Sequence, residues 1–261
     1  MLVGAYGSGK TEVAVNLAIQ WARAGLRVNL ADVDLVNPYF RSREQQRLME
    51  SHGVNVVIPP GKLAGADLPI VLPEVIGLLQ PAPDTISLLD VGGDDVGARV
   101  LSSFRPALRE GAYQLWQVVN GSRPFTSDVA GCHQIRGELE AASRLRVTGL
   151  VGNTHLIDET ELETVLGGWR LVAEVARQSD LPVRAVGVAG ELALDPALTE
   201  VAAPVLRLER RMLPPWLPGT LDGHGGCTPE TQPAPRPRPI GVPPRLRAQD
   251  SRGDTDGLHP D

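Results

Sequence analysis

Eight residues near the amino end have the types and spacing to hold a polyphosphate. Gly4-Ala5-Tyr6-Gly7-Ser8-Gly9-Lys10-Thr11 satisfies G-x-x-x-x-G-K-[ST]. Glycines at this spacing let the backbone of Gly4, Tyr6, Gly7, Ser8 and Gly9 wrap, so that successive N–H groups face phosphate oxygens. A helix beginning near Lys10 adds its positive dipole end. Lys10 would then reach β- and γ-phosphates, and the Thr11 hydroxyl would hold Mg²⁺. Such a cation, and a water that attacks the last phosphate, call for carboxylates. The run Ile86-Ser87-Leu88-Leu89-Asp90 ends in one and is followed by Val91-Gly92-Gly93. Asp90 is expected to fix Mg²⁺ or a coordinated water, and Gly93 to bring a backbone N–H to the γ-phosphate. A second run, Val28-Asn29-Leu30-Ala31-Asp32-Val33-Asp34, places the carboxylates of Asp32 and Asp34 on one face if the strand continues. One would orient water and the other would join the metal shell; Asp34 is favoured for the water and Asp32 for the metal. Lys10, Asp34 and Asp90 are the expected catalytic residues.

These groups need rigid elements behind them, and short β-branched runs alternating with helical patterns supply a candidate set. Strands are expected at Met1 to Val3, Leu26 to Ala31, Val54 to Ile58, Thr85 to Leu89, Tyr113 to Val119, Val147 to Gly152, Val183 to Val188 and Val205 to Leu208. Helices are expected at Lys10 to Ala24, stopped by Gly25, and at Arg43 to His52, opened by Ser42 with Gln45 as capping-box partner and closed by Gly53. Two more run from about Asp128 to Arg144 and from Glu161 to Ser179. The alternation predicts an α/β, doubly wound, mostly parallel sheet of seven to eight strands over residues 1–211. Three residues are short for a central strand, so the natural start is expected upstream of Met1. From Pro214 to Asp261 there are 11 Pro and 7 Gly in 48 residues, a density that predicts a disordered tail over 212–261.

Composition removes several classes of function. The chain has 261 residues, 42% of them apolar, which is ample for a core. A net charge of −6 argues against a broad nucleic-acid surface. Trp21, Trp116, Trp169 and Trp216 are not interleaved with basic residues, so a stacking platform for single strands is not expected. Cys132 and Cys227 lack a C-x-x-C partner, which excludes a disulfide framework and a self-contained zinc site. His133, next to Cys132 on a helix, would point about a hundred degrees away from it, so the pair reads as structural. No run of eighteen apolar residues and no signal-like start are legible, which predicts a cytoplasmic protein without membrane attachment.

The chain resembles P-loop ATPases of the CobQ/CobB/MinD/ParA type, within the SIMIBI class. Gly4 to Thr11, Ala31-Asp32-Val33-Asp34, Leu89-Asp90-Val91-Gly92-Gly93 and Leu150-Val151-Gly152-Asn153 carry the resemblance. Asp34-Leu35-Val36-Asn37-Pro38-Tyr39-Phe40-Arg41-Ser42-Arg43-Glu44 and Asp90 to Gly97 look like a branch named for a cobyrinic acid diamide synthase-like domain. The resemblance implies a P-loop NTPase sheet with the Asp90 strand beside the loop strand, Mg-ATP as ligand, and frequently a homodimer. It carries over an adenine contact to Asn153. Ala5 stands where MinD- and ParA-like proteins have a lysine used across the dimer; Arg41, Arg43 or Arg123 could supply a compensating charge to a phosphate, but a solvated or salt-bridged surface position is the favoured reading for each. A guanine-reading N-K-x-D would need Lys and Asp where Thr154 and Leu156 stand, which disfavours GTP. The expected activity is ATP hydrolysis that switches the interface with an unknown protein partner. The alternatives are an ATP-dependent carboxylate-activating enzyme of dethiobiotin or cobyrinate synthetase type without a glutaminase domain, and a nucleotide-binding subunit that barely hydrolyses.

Overall fold

A computed structural model describes residues 1–33, 45–57, 73–93, 95–108, 113–212 and 240. Eight strands among them form one wholly parallel sheet: β1 Leu2–Val3, β2 Arg27–Asp32, β3 Val54–Val57, β4 Thr85–Asp90, β5 Trp116–Val119, β6 Gly149–Gly152, β7 Val183–Ala189 and β8 Val205–Leu208. Their spatial order is β3-β2-β4-β1-β5-β6-β7-β8, so β1 lies between β4 and β5, where the winding reverses direction. The helices are α1 Lys10–Arg23, α2 Gln46–Ser51, α3 Pro73–Leu78, α4 Asp95–Phe104, α5 Val129–Ser143 and α6 Leu162–Ser179.

Alternation along each central strand builds a core on both faces. Leu2, Leu30, Leu88 and Val118 pack on the α1 side, while their successors Val3, Ala31, Leu89 and Val119 pack with α4, α5 and α6. Central strands covered on both sides read as continuous apolar runs, as parallel sheets do. Trp21 of α1 meets Trp116 of β5 edge to face, with ring centroids 6.5 Å apart. The Trp21 indole N–H also donates to the carbonyl of Ile240, a buried residue of the same core cluster.

All eight expected strands are present with ends shifted by a few residues; β5 begins at Trp116 rather than Tyr113, and β6 at Gly149 rather than Val147. In both cases the residues before the strand are held by side-chain bonds: the Leu115 N–H donates to Thr148 Oγ1 and the Val147 N–H to Glu140 Oε1. Helix α5 keeps its expected bounds to within a residue and is capped at both ends, with Asp128 Oδ1 accepting the Gly131 N–H and Arg144 in the left-handed conformation. Gln45 is itself the N-cap of α2, without a side-chain cap bond, and Ser42, the other half of the expected capping box, lies outside the described residues. Helix α4 had no place in the strand and helix pattern because Gly92, Gly93 and Gly97 depress local propensity. Packing explains the last of these, since a Cβ on Gly97 would lie 2.6 Å from Gly92 Cα. Apart from Ile240, residues of the expected tail beyond Met212 lie outside the described set.

Leu30, in β2, is fully buried in the core on the α1 side of the sheet. Leu30→Ala is expected to lower unfolding free energy by about 2–5 kcal/mol, measured by urea denaturation.

Candidate functional site

The Gly4–Thr11 loop leaves the end of β1 and turns directly into α1, so the helix N-terminus faces the crevice at the carboxyl ends of the strands. Gly9 is the N-cap of α1, with φ +82°. A Cβ there would stand 2.3 Å from Asn153 Nδ2, so both backbone conformation and space demand glycine.

The loop is held from outside by the ends of β5 and β6. Asn120 Nδ2 and Arg123 Nε donate to the Gly7 carbonyl at 3.3 and 3.1 Å, and Asn153 Nδ2 donates to the Ser8 carbonyl at 2.8 Å. Because the Ser8–Gly9 peptide is trans, a carbonyl turned onto Asn153 sends the Gly9 N–H the opposite way. Lys10 is nearly buried and its Nζ donates to the Ala5 carbonyl at 3.1 Å, which folds the ammonium back over the loop. Ser8 is fully buried, whereas Tyr6 is 70% exposed at the cavity mouth.

Parallel register brings two of the acids together. Asp32 and Asp90 are direct partners across β2 and β4, and both are buried. The Val33 N–H donates to the Asp90 carbonyl at 2.9 Å, which extends the pairing past the strand end. Gly93 follows so closely that a Cβ on it would lie 2.8 Å from Lys10 Nζ and 3.0 Å from Tyr6 Cα. Asp34, Arg41 and Arg43 lie outside the described residues.

A cavity of ≈ 330 Å³ runs from the loop to the ends of β6, β7 and β8. Tyr6, Gly7, Gly9, Lys10, Thr11, Gly93 and Asn153 line it among the expected site residues. At the loop end the wall is polar; at the far end it is built from Ile157, Val165, Ala189, Leu208 and Met212. Asn153 sits between the two, its Oδ1 only 2.7 Å from where a Gly187 Cβ would be. Arg123 belongs here too, as do Asn120 and His155, which were not singled out from sequence. One signal was present: β5 and β6 both run out into asparagine, at Val119-Asn120 and Gly152-Asn153. Arg123 is drawn inward by its bond to Gly7 rather than left as a surface cation.

Cys132 and His133 diverge. The Cys132 thiol is sealed in the core and pushed up to about 11 by burial, with the Asp128 charge adding to the effect, so it is inert as a thiolate. His133 turns outward to Gln178. Among the described residues no group of three or more His, Cys, Asp or Glu gathers as a metal cluster, and no helix is long and apolar enough to cross a membrane.

No protein-family model and no curated protein matches the sequence. Solved structures do. The signal recognition particle receptor FtsY from Elizabethkingia anophelis superposes with TM-score 0.50 at 23% identity, over 74% of this chain and 59% of that one, and has also been solved in complex with GDP. The cell division protein ftsY from Thermotoga maritima gives 0.52 at 20% identity, over 73% of this chain and 62% of that one. The chain thus spans about three fifths of the length of the FtsY chains it matches. The septum site-determining protein MinD from Pyrococcus horikoshii OT3, complexed with Mg-ADP, gives 0.45 at 18% identity over 77% and 84%, too loose a likeness to argue from. The fold is that of an α/β P-loop NTPase, an eight-stranded member with the Asp90 strand beside the loop strand.

His155 links the site to pH. Its Nδ1 lies 2.8 Å from the Asn153 carbonyl and so donates to it. Burial holds its pKa below the ordinary value; the Asn153 carbonyl opposes this, and the Arg123 and Arg210 charges reinforce it. A depressed histidine leaves the unfolded chain to take up the proton first, so its stabilising contribution is complete above about pH 6.5 and is lost as pH falls below that. Thermal unfolding midpoints should therefore decline below pH about 6.5 in the parent protein and less steeply in His155→Gln. Equal slopes in the two proteins would contradict this assignment.

Proposed function

We propose that this chain binds Mg-ATP in the cavity beside the Gly4–Thr11 loop and hydrolyses it as a switch that alters the interface with a protein partner. The observation that supports the reading is a tethered loop with a nearly buried Lys10 against Gly93, together with the buried acids Asp32 and Asp90, which pair at the ends of neighbouring strands and do not line the cavity itself. In this reading the backbone of Gly4, Tyr6, Gly7, Ser8 and Gly9 cradles the phosphates, and Lys10 leaves the Ala5 carbonyl to meet the β- and γ-oxygens. The Gly93 backbone N–H serves the γ-phosphate, whose release lets the following segment relax.

The donor set suits Mg²⁺, which prefers hydroxyl, carboxylate and phosphate oxygens to nitrogen or sulfur. Thr11 would supply the hydroxyl, and Asp90 and Asp32 the carboxylates that order the surrounding waters. The bound cation would neutralise charge developing on the phosphates. Asp34, just beyond the described end of β2, is assigned the orientation of the attacking water on the strength of its sequence position. Asn153 would contact the adenine while bracing the loop. The CobQ/CobB/MinD/ParA branch, in which homodimers are frequent, is assigned from the sequence resemblance, and a cytoplasmic location from the lack of a legible apolar span or signal-like start. The FtsY likeness makes GTP the competing ligand; against it stand Thr154 and Leu156 where a guanine reader would carry Lys and Asp.

Calorimetry with Mg-ATP and Mg-GTP, and phosphate release with water alone, test this reading. Binding preferential to ATP and slow turnover are expected, with turnover reduced about 100-fold or more in Lys10→Ala. Unchanged turnover in that variant would overturn the assignment, preference for GTP would overturn the base, and phosphate release only with a small carboxylic acid would favour a carboxylate-activating enzyme.

A further inference from the structure

Glu12 follows Thr11 directly, where an acid would ordinarily do no more than complement the dipole of α1. Here its carboxylate reaches across the fold. It accepts the backbone N–H of Arg211 at 2.8 Å and of Met212 at 3.0 Å, and the side-chain amide of Asn16 at 3.1 Å. One turn later, buried Asn16 donates to the Glu209 carbonyl at 3.0 Å and accepts the Glu209 N–H at 2.9 Å. Two side chains on one face of α1 thus make four hydrogen bonds to the backbone of residues 209–212. Burial pushes the Glu12 carboxyl above its ordinary range, a cost that the Met212 and Arg211 N–H groups offset.

The segment so held is the extension of β8, and its alternate residues Leu208, Arg210 and Met212 line the cavity, the first and last of them apolar. Ile157, Val165 and Ala189 line the same cavity. A largely apolar slot beside the loop suits the flat heterocycle of a nucleotide rather than a second phosphate, because the N–H groups of Arg211 and Met212 are already engaged by Glu12.

We propose that Glu12 and Asn16 are positioning residues that fix the Leu208–Met212 strap as a wall for the nucleotide base, tying base affinity to the helix whose first turn bears Lys10 and Thr11. The inference rests on the nucleotide reading above and adds to it a separate determinant of base grip. The side-chain hydrogen bonds of both residues go to the strap and to each other's segment of α1, none to the Gly4–Thr11 loop, so a defect in the clamp should weaken ligands that carry a base and spare those that do not.

The test uses the full chain, titrated with Mg-ATP and, separately, with inorganic triphosphate. Glu12→Ala, which removes both carboxylate acceptors, is expected to weaken ATP about tenfold and to leave triphosphate within about twofold. Glu12→Gln keeps one acceptor and should fall between; it also serves if the alanine variant does not fold. Asn16→Ala should reproduce the pattern, and KM for ATP should rise while kcat at saturation stays within about twofold. Equal losses for ATP and triphosphate, or no change in either, would overturn the clamp while leaving the nucleotide reading in place. A parent protein that binds neither ligand would overturn both.

Discussion

The constraint on which the rest depends is that a glycine-rich loop has no shape of its own. Glycine lowers the cost of the required dihedrals but raises the entropy of every other conformation, so something outside the loop must select one. In this chain that selection comes from amide and guanidinium donors at the ends of the next two strands. Asn120 and Arg123 hold the Gly7 carbonyl and Asn153 holds the Ser8 carbonyl. Asn120 is in turn tied down: its Oδ1 accepts the N–H of Ser122 and of His155, and its carbonyl accepts Thr126 Oγ1. A net of buried polar groups, each with a partner, is stiffer than the loop it serves.

The sheet supplies the second requirement, the meeting of charges. Two carboxylates 58 positions apart become neighbours because β2 and β4 pair in register from Arg27↔Thr85 to Asp32↔Asp90. A slip of one residue would send one of them to the other face. That register is guarded by the apolar residues before them, which must divide between two cores: Leu30 and Leu88 to the α1 side, Ala31 and Leu89 to the other. Packing energy far from the crevice therefore decides geometry within it.

The third element is the long-range closure of the cavity. The extension of β8 is nearly 200 residues from α1 in sequence, yet it is bound to the helix that begins at the phosphate loop. The cavity is thus polar where the loop N–H groups gather and apolar where the strap closes it, a division suited to a ligand with a charged end and a flat end.

What the sequence determined by itself was local. The spacing of Gly4, Gly9, Lys10 and Thr11, the acids that end two apolar runs, and the eight β-rich segments are written in stretches short enough for propensity and pattern to act alone. Helix α4 was not legible because its one glycine, Gly97, serves close packing against Gly92, which a propensity argument counts against a helix. The role of Glu12 carried no sequence signal, and Arg123 was favoured as a surface charge, because their partners lie 199 and 116 positions away. Strand order, the adjacency of Asp32 and Asp90, the tethering of the loop and the closure of the cavity were decided only by tertiary structure. Each pairs groups whose separation along the chain carries no signal, and each is selected by burying a shared core and satisfying the polar groups trapped beside it.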